Sequence, residues 1–297
     1  MMPVLGDLGR QLAQRWVGRL ALPGLLLAGT VLLGLALGQR HPFDRARLAQ
    51  RIVQWADAFA TRPSSVQLLY VGGLLLAVAA VGVAVESAAG GTLRLWLGQW
   101  PQALNRPARV LVARREARWE NAQRRVTELR AALPAPREPA EARAIDQAAE
   151  DREAIAPARP TRPTWMGDRV AGADLRVLHQ YGLDLAAVWP RLWLVLPQEV
   201  RDEVTAARRR IEAAAQLATW SVLFAAVALA WWPALLVAAV PAVSGWRRGR
   251  AAVATYALLL ESAVDVYAGE LAAKAAEGPE WTTERGRALT RLMKKGS

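Results

Sequence analysis

The stretch Ala213–Trp246, AAAQLATWSVLFAAVALAWWPALLVAAVPAVSGW, contains no charged residue and carries Pro233 near its middle. A run this apolar on every side points to lipid, where a helix satisfies its own backbone and needs no polar face. Two threadings are open. A single kinked span would separate Arg208, Arg209 and Arg210 from Arg247, Arg248 and Arg250 by the width of the bilayer. A hairpin turning at Trp231, Trp232 and Pro233 returns both basic flanks to one side, where short arginine-rich flanks stay cytoplasmic, and this threading is preferred. Its second arm is short: Pro233 to Trp246 is 14 residues, about 21 Å of helix against ~30 Å of hydrocarbon. Tilt, local thinning or arginine snorkelling must supply the difference.

Two further apolar runs precede it. Leu20–Gly38 is 19 residues without a charge, enough to cross, whereas a cleaved signal peptide has a shorter core of about 7–15 residues. The leader before it spaces Leu5, Leu8, Leu12 and Trp16 as one face of a short interfacial helix. Val66–Val85 is the second span. Gly34, Gly38, Gly72 and Gly73 are expected to be helix-packing positions, since small residues let helices approach. Between the spans, 40–65 reads as a loop and an amphipathic helix capped by Asp44, with Leu48, Ile52, Val53, Trp55 and Phe59 apolar. With the termini inside, this outer loop carries five Arg against two Asp, more positive charge than an outer loop prefers.

The polar segments are expected to be helical and cytoplasmic. Residues 89–133 form a charged juxtamembrane region with Glu and Arg at helical spacing. Residues 134–163 are proline- and alanine-rich without periodic large apolar residues, and read as a flexible linker. In 164–212, Asp168 reads as the N-cap of a helix ending at Gly182, and a second helix starts after Asp184 and carries WPRLWLVLP. Residues 247–297 continue as a helix and a basic tail. Glu261 and Asp265 lie one turn apart and are expected to pair with Arg208–Arg210 rather than to act as an acid/base pair.

Composition narrows function by exclusion. The chain has no cysteine and only two histidines, His41 and His179, far apart, so thiolate zinc sites and histidine-based metal or nucleophile clusters have little to draw on. The net charge of +12 is spread along the chain: residues 89–212 hold 21 Arg against 16 acids. That suits anionic headgroups better than nucleic acid. No cofactor is expected.

The Pro163–Asp168 segment PTWMGD, the Gly182–Leu194 segment GLDLAAVWPRLWL, the WWPALL turn and the WRRGRAA exit resemble uncharacterised integral-membrane proteins of high-GC Gram-positive (actinobacterial) bacteria. The resemblance covers about residues 160–275 and implies a location in the bacterial plasma membrane, but no activity. The expectation is therefore an all-α integral membrane protein with four membrane-embedded helices, the last two a hairpin, both termini cytoplasmic and a helical cytoplasmic domain. Its domains are an N-terminal helix pair (1–88), the juxtamembrane region, the linker, the helical segment 164–212, the hairpin 213–246 and the 247–297 tail. Such a chain serves as a non-enzymatic scaffold that docks a protein partner through Trp165, Asp168, Trp189, Arg191 and Trp193, the residue types that dominate interfaces. An oligomeric pore or membrane-perturbing effector is the alternative.

Overall fold

The computed structural model describes residues 22–133, 138–274 and 282–293. Every regular element among the described residues is helical. They are α1 (Leu22–Leu37), α2 (Arg45–Ala60), α3 (Ser64–Trp96), a 3₁₀ turn (Gln102–Leu104), α4 (Asn105–Ala132), α5 (Pro139–Ile155), α6 (Trp165–Tyr181), α7 (Leu185–Val195), α8 (Gln198–Val227), α9 (Ala234–Lys274) and α10 (Thr283–Met293). The expected leader helix at Leu5–Trp16, and residues 275–281 within the expected helix and basic tail of 247–297, lie outside the described residues.

Within the described residues, α3 and α9 are long and apolar enough to cross a membrane, while α1 and α7 are shorter apolar helices. A helix apolar all round is either a core helix or a lipid-facing one. Only 17% of the most apolar window of α3 is buried, against 39% for α9. Burial inside the protein therefore does not account for the composition of α3. Leu69 and Leu76 on α3 and Val240 on α9 are more than 70% exposed.

Local signals set several boundaries. The Asp44 carboxylate accepts the Arg47 N–H at 2.9 Å and starts α2, and Asp184 accepts the Ala187 N–H at the head of α7. Gly182 ends α6 with φ at 69°, a left-handed conformation that other residues adopt at a cost. Two expectations are corrected. The cap of α6 is Thr164, whose hydroxyl accepts the Gly167 N–H at 3.0 Å, and Asp168 sits one turn inside the helix. Within 134–163, read as linker, residues Pro139–Ile155 form α5, started by a reciprocal Glu138/Glu141 capping box with Pro139 at the first helical position.

The chain divides into two compact units, one of residues up to Thr92 plus Glu212–Arg248, the other of Leu93–Ile211 plus the residues from Gly249 on. In the first, α8 and α9 form a helical hairpin. A Cβ on Gly245 would meet the Ala214 carbonyl at 3.0 Å and the Ala218 nitrogen at 3.1 Å, so the arms run back along each other almost backbone to backbone. Val85, Trp220, Phe224 and Ala238 pack one layer of this unit, and Ala36, Leu37, Trp231 and Ala234 another.

The turn between the arms is tied to the loop after α1. The Gln39 amide donates to the Ala228 and Leu229 carbonyls at 2.6 and 2.9 Å, and its oxygen accepts the Trp232 N–H at 3.1 Å. Trp231 donates its indole N–H to the Pro42 carbonyl at 3.0 Å, and Phe43 meets Trp232 edge to face. Thus the α8–α9 turn and the α1–α2 loop occupy the same end of this unit. Gly34 packs against Trp231 as a small residue should, whereas Gly38 terminates α1 with φ at 66°. Among the described residues nothing lies within 4 Å of a Cβ built on Gly72 or Gly73, so the described residues pack against neither.

In the second unit, α4 and α5 pair. Trp119 donates to the Ala156 carbonyl at 3.1 Å, Arg152 bonds Gln123 at 2.8 Å, and Val126 is fully buried at the seam. A larger core gathers Val177, Leu183, Leu185, Val188, Leu192 and Leu196 against Leu260, Ala263, Val264, Ala268 and Leu271 of α9.

Candidate docking cleft

Within the second unit, α6, α7 and α9 converge with the end of α3 on an open cleft of about 370 Å³. Each wall has a local cause. Gly167 stands where a Cβ would come within 2.6 Å of the Leu97 carbonyl, so its missing side chain lets α6 close on the end of α3. Along α6, Val170 and Asp174 stand one turn apart and face the cleft; along α9, Tyr256 and Leu260 do the same. Ala186, Trp189 and Pro190 of α7 form the opposite wall, with Arg162 and Gln99 at the polar rim.

Pro190 lies inside α7 and has no N–H, so the Ala186 carbonyl one turn back lacks its helical donor. The cleft thus combines an apolar floor, an aromatic wall, a cation, an anion and a carbonyl acceptor. Its volume falls in the range of ligand and side-chain pockets. Such a surface suits an apolar side chain flanked by polar backbone. Among the described residues, no group of three or more His, Cys, Asp or Glu could hold a metal.

The residues singled out from sequence do not all reach this surface. Trp189 lines the cleft, and Trp193 packs obliquely on it, ring centroids 5.8 Å apart. Arg191 turns back to bond the Ala187 carbonyl at 2.7 Å. Trp165 is half-buried beneath the Arg250 guanidinium, 4.1 Å from its ring centre, a cation–π contact.

Asp168 is 4% exposed: one oxygen accepts the Thr161 and Arg162 N–H groups at 2.8 Å each, and the other accepts Arg115 at 2.8 Å. Its acceptor capacity is spent on holding the 161–162 turn, leaving no face for a partner. Arg208, Arg209, Arg210, Arg247 and Arg248 are exposed.

The acidic pair on α9 is also corrected. Glu261 is bonded in bidentate fashion by Arg176 and lies 3.7 Å from Arg169, both on α6. Asp265 accepts the Tyr181 hydroxyl at 2.8 Å. Burial, then that hydrogen bond and the carboxylate charge, push the Tyr181 phenol above its ordinary value.

Arg162, Asp174, Gln99 and Tyr256 were not anticipated. The i, i+4 spacings Val170/Asp174 and Tyr256/Leu260 were visible signals of faces, but nothing local showed that these faces meet. No family model, curated protein or solved structure matches the chain.

Proposed function

We propose that the chain is a non-enzymatic anchor of the bacterial plasma membrane that docks a protein partner in the cleft between α6, α7 and α9. The carrying observation is the join, in one chain, of a largely unburied apolar helix, α3, to a polar helical unit with a concave, chemically mixed cleft. Four membrane-embedded segments follow from the sequence pattern: α1, α3 and the two hairpin arms. The shared end of the α1–α2 loop and the α8–α9 turn supports this threading, because both must then emerge on the outer side. Both termini and the cleft are then cytoplasmic, and the actinobacterial resemblance agrees with a plasma-membrane location.

Trp189 is the anchor contact in this reading, with Arg162 at the rim selecting an acidic neighbour on the partner. A photocrosslinking amino acid at Ala186, on the exposed rim, gives one defined adduct in cells, and Ala171→Trp, which fills the cleft, abolishes it. An adduct no more specific than that from exposed Arg143 refutes docking here.

An oligomeric pore is the second reading, favoured by the open Gly72–Gly73 face of α3, where another copy could approach. Proteoliposomes separate the two: solute leakage at low protein density supports the pore and counts against a passive anchor.

A further inference from the structure

Beside α3 lies a second concavity, a groove of about 450 Å³ confined to the first unit and lined by α1, α2 and α3. Its floor is closed where a Cβ on Gly24 would meet Val78 at 2.6 Å. Its walls are Leu27, Ala28 and Leu32 on one side and Leu74 and Ala77 on the other, and its mouth is framed by Phe59 and Tyr70. The lining is apolar throughout except for the Tyr70 hydroxyl. Along α3 it extends from Tyr70 to Val81, about 16 Å at 1.5 Å per residue. That is the depth of one leaflet, half of the ~30 Å hydrocarbon layer.

The mouth is basic. Helix α2 has no buried residue, yet it is not featureless: at 100° per residue, Leu48, Ile52, Trp55 and Phe59 share about 60° of its circumference. Leu48 packs toward Ala36 and Leu37, and Phe59 lines the groove, so this face looks down onto α1 and α3. Arg45 and Arg51 flank the same face on either side, and Arg62 follows the helix. Residues 40–65 hold five Arg against two Asp, and the carboxylate of Asp44 is already engaged in capping α2. Among the described residues none of these arginines has an ion-pair partner.

We infer that this groove holds one acyl chain of an anionic phospholipid whose headgroup sits at the basic mouth, with Arg62 the arginine nearest Phe59 in the chain and Arg51 and Arg45 adding positive charge along α2. The inference rests on the membrane reading above, and it accounts for the positive charge that an outer loop would otherwise disfavour. An uncharged lipid would fill the groove but leave the arginine collar unanswered. A second copy of the chain would need an apolar helix narrow enough to enter beneath Phe59.

The test uses the full chain in nanodiscs of equal parts phosphatidylcholine and phosphatidylglycerol, extracted in mild detergent and weighed by native mass spectrometry. The expected result is retained phosphatidylglycerol in preference to phosphatidylcholine. Ala28→Trp with Ala77→Trp fills the groove and removes both lipids, while Leu69→Trp, on the far exposed face, changes nothing. Arg45→Gln, Arg51→Gln and Arg62→Gln together keep a lipid bound but lose the preference, by about fivefold per arginine.

Equal retention of the two lipids overturns the inference, as does retention that survives groove filling or a dimer mass without bound lipid. If the tryptophan pair fails to fold, the arginine set still decides. Release of the wild-type chain from membranes by alkaline carbonate overturns the membrane reading; membrane retention with no bound lipid overturns the groove alone.

Discussion

Replacing Asp168 separates a structural from a recognition role for the carboxylate within the PTWMGD segment. Asp168→Ala leaves the Thr161 and Arg162 N–H groups without their acceptor in a site where the carboxylate was 4% exposed. Each unsatisfied buried group costs about 1–3 kcal/mol. Arg115, whose side chain is 19% exposed, loses its carboxylate but keeps the Ile155 carbonyl at 2.7 Å, so its own contribution is smaller. The total is about 3–5 kcal/mol, the range for breaking a buried pair and a large share of the ~5–15 kcal/mol that holds a protein folded.

At roughly 2–4 °C per kcal/mol, Tm of the full chain in detergent should fall by about 6–20 °C, read by tryptophan fluorescence. Asp168→Asn is the control. Its carbonyl oxygen can still serve both backbone N–H groups, while its amide opposes Arg115 donor to donor, so about half the loss is expected. The reasoning is refuted if Asp168→Ala melts within about 2 °C of wild type, or if Asn is as damaging as Ala.

Two further outcomes follow from single contacts. Gly182→Ala forces a non-glycine residue to φ of 69° and drives its Cβ onto the Thr283 carbonyl; a loss of more than about 2 kcal/mol is expected from the left-handed strain plus the clash, measured as a Tm shift. Tyr181 has a raised phenol pKa because the fold favours its neutral form. Its contribution is fully present below pH 10.0, the unfolded value, and is lost as pH rises through the folded one. Wild type should therefore lose stability relative to Tyr181→Phe above pH 10.0, and parallel melting curves across that range would exclude the Asp265 bond.

What could be read from the residues alone was what is decided within a turn or two. Asp44, Asp184 and Gly182 act on their own neighbours, so their roles needed no tertiary knowledge. The same reasoning misassigned Asp168, because Thr164 was an equally good cap four residues earlier and the carboxylate answers to Arg115, 53 residues away. Helix α5 was missed for a different reason. Its apolar content is little more than Ile145 and Ala148, too little for a periodic stripe, and it is held by Trp119 and Val126 on α4. The Glu138/Glu141 box was the local clue.

The cleft was illegible as a site. Its walls come from Leu97, Val170, Trp189 and Tyr256, positions that no spacing rule links. Tryptophan frequency pointed to Trp165 and Trp193 as readily as to Trp189, and only packing distinguishes a ring spent on Arg250 from one left facing a cavity.

Gln39 has a consequence for biogenesis. Its amide meets carbonyls that lie 189 and 190 positions later in the chain, which at ribosomal speeds of about 5–20 residues per second are not synthesised until roughly ten to forty seconds after it. The N-terminal helices must wait over that interval with an open latch, and a nascent chain arrested before Ala228 cannot close it. Closure of this end of the first unit is thereby coupled to synthesis of the Trp231–Trp232 turn, and a chain arrested before it leaves Gln39 without these three partners.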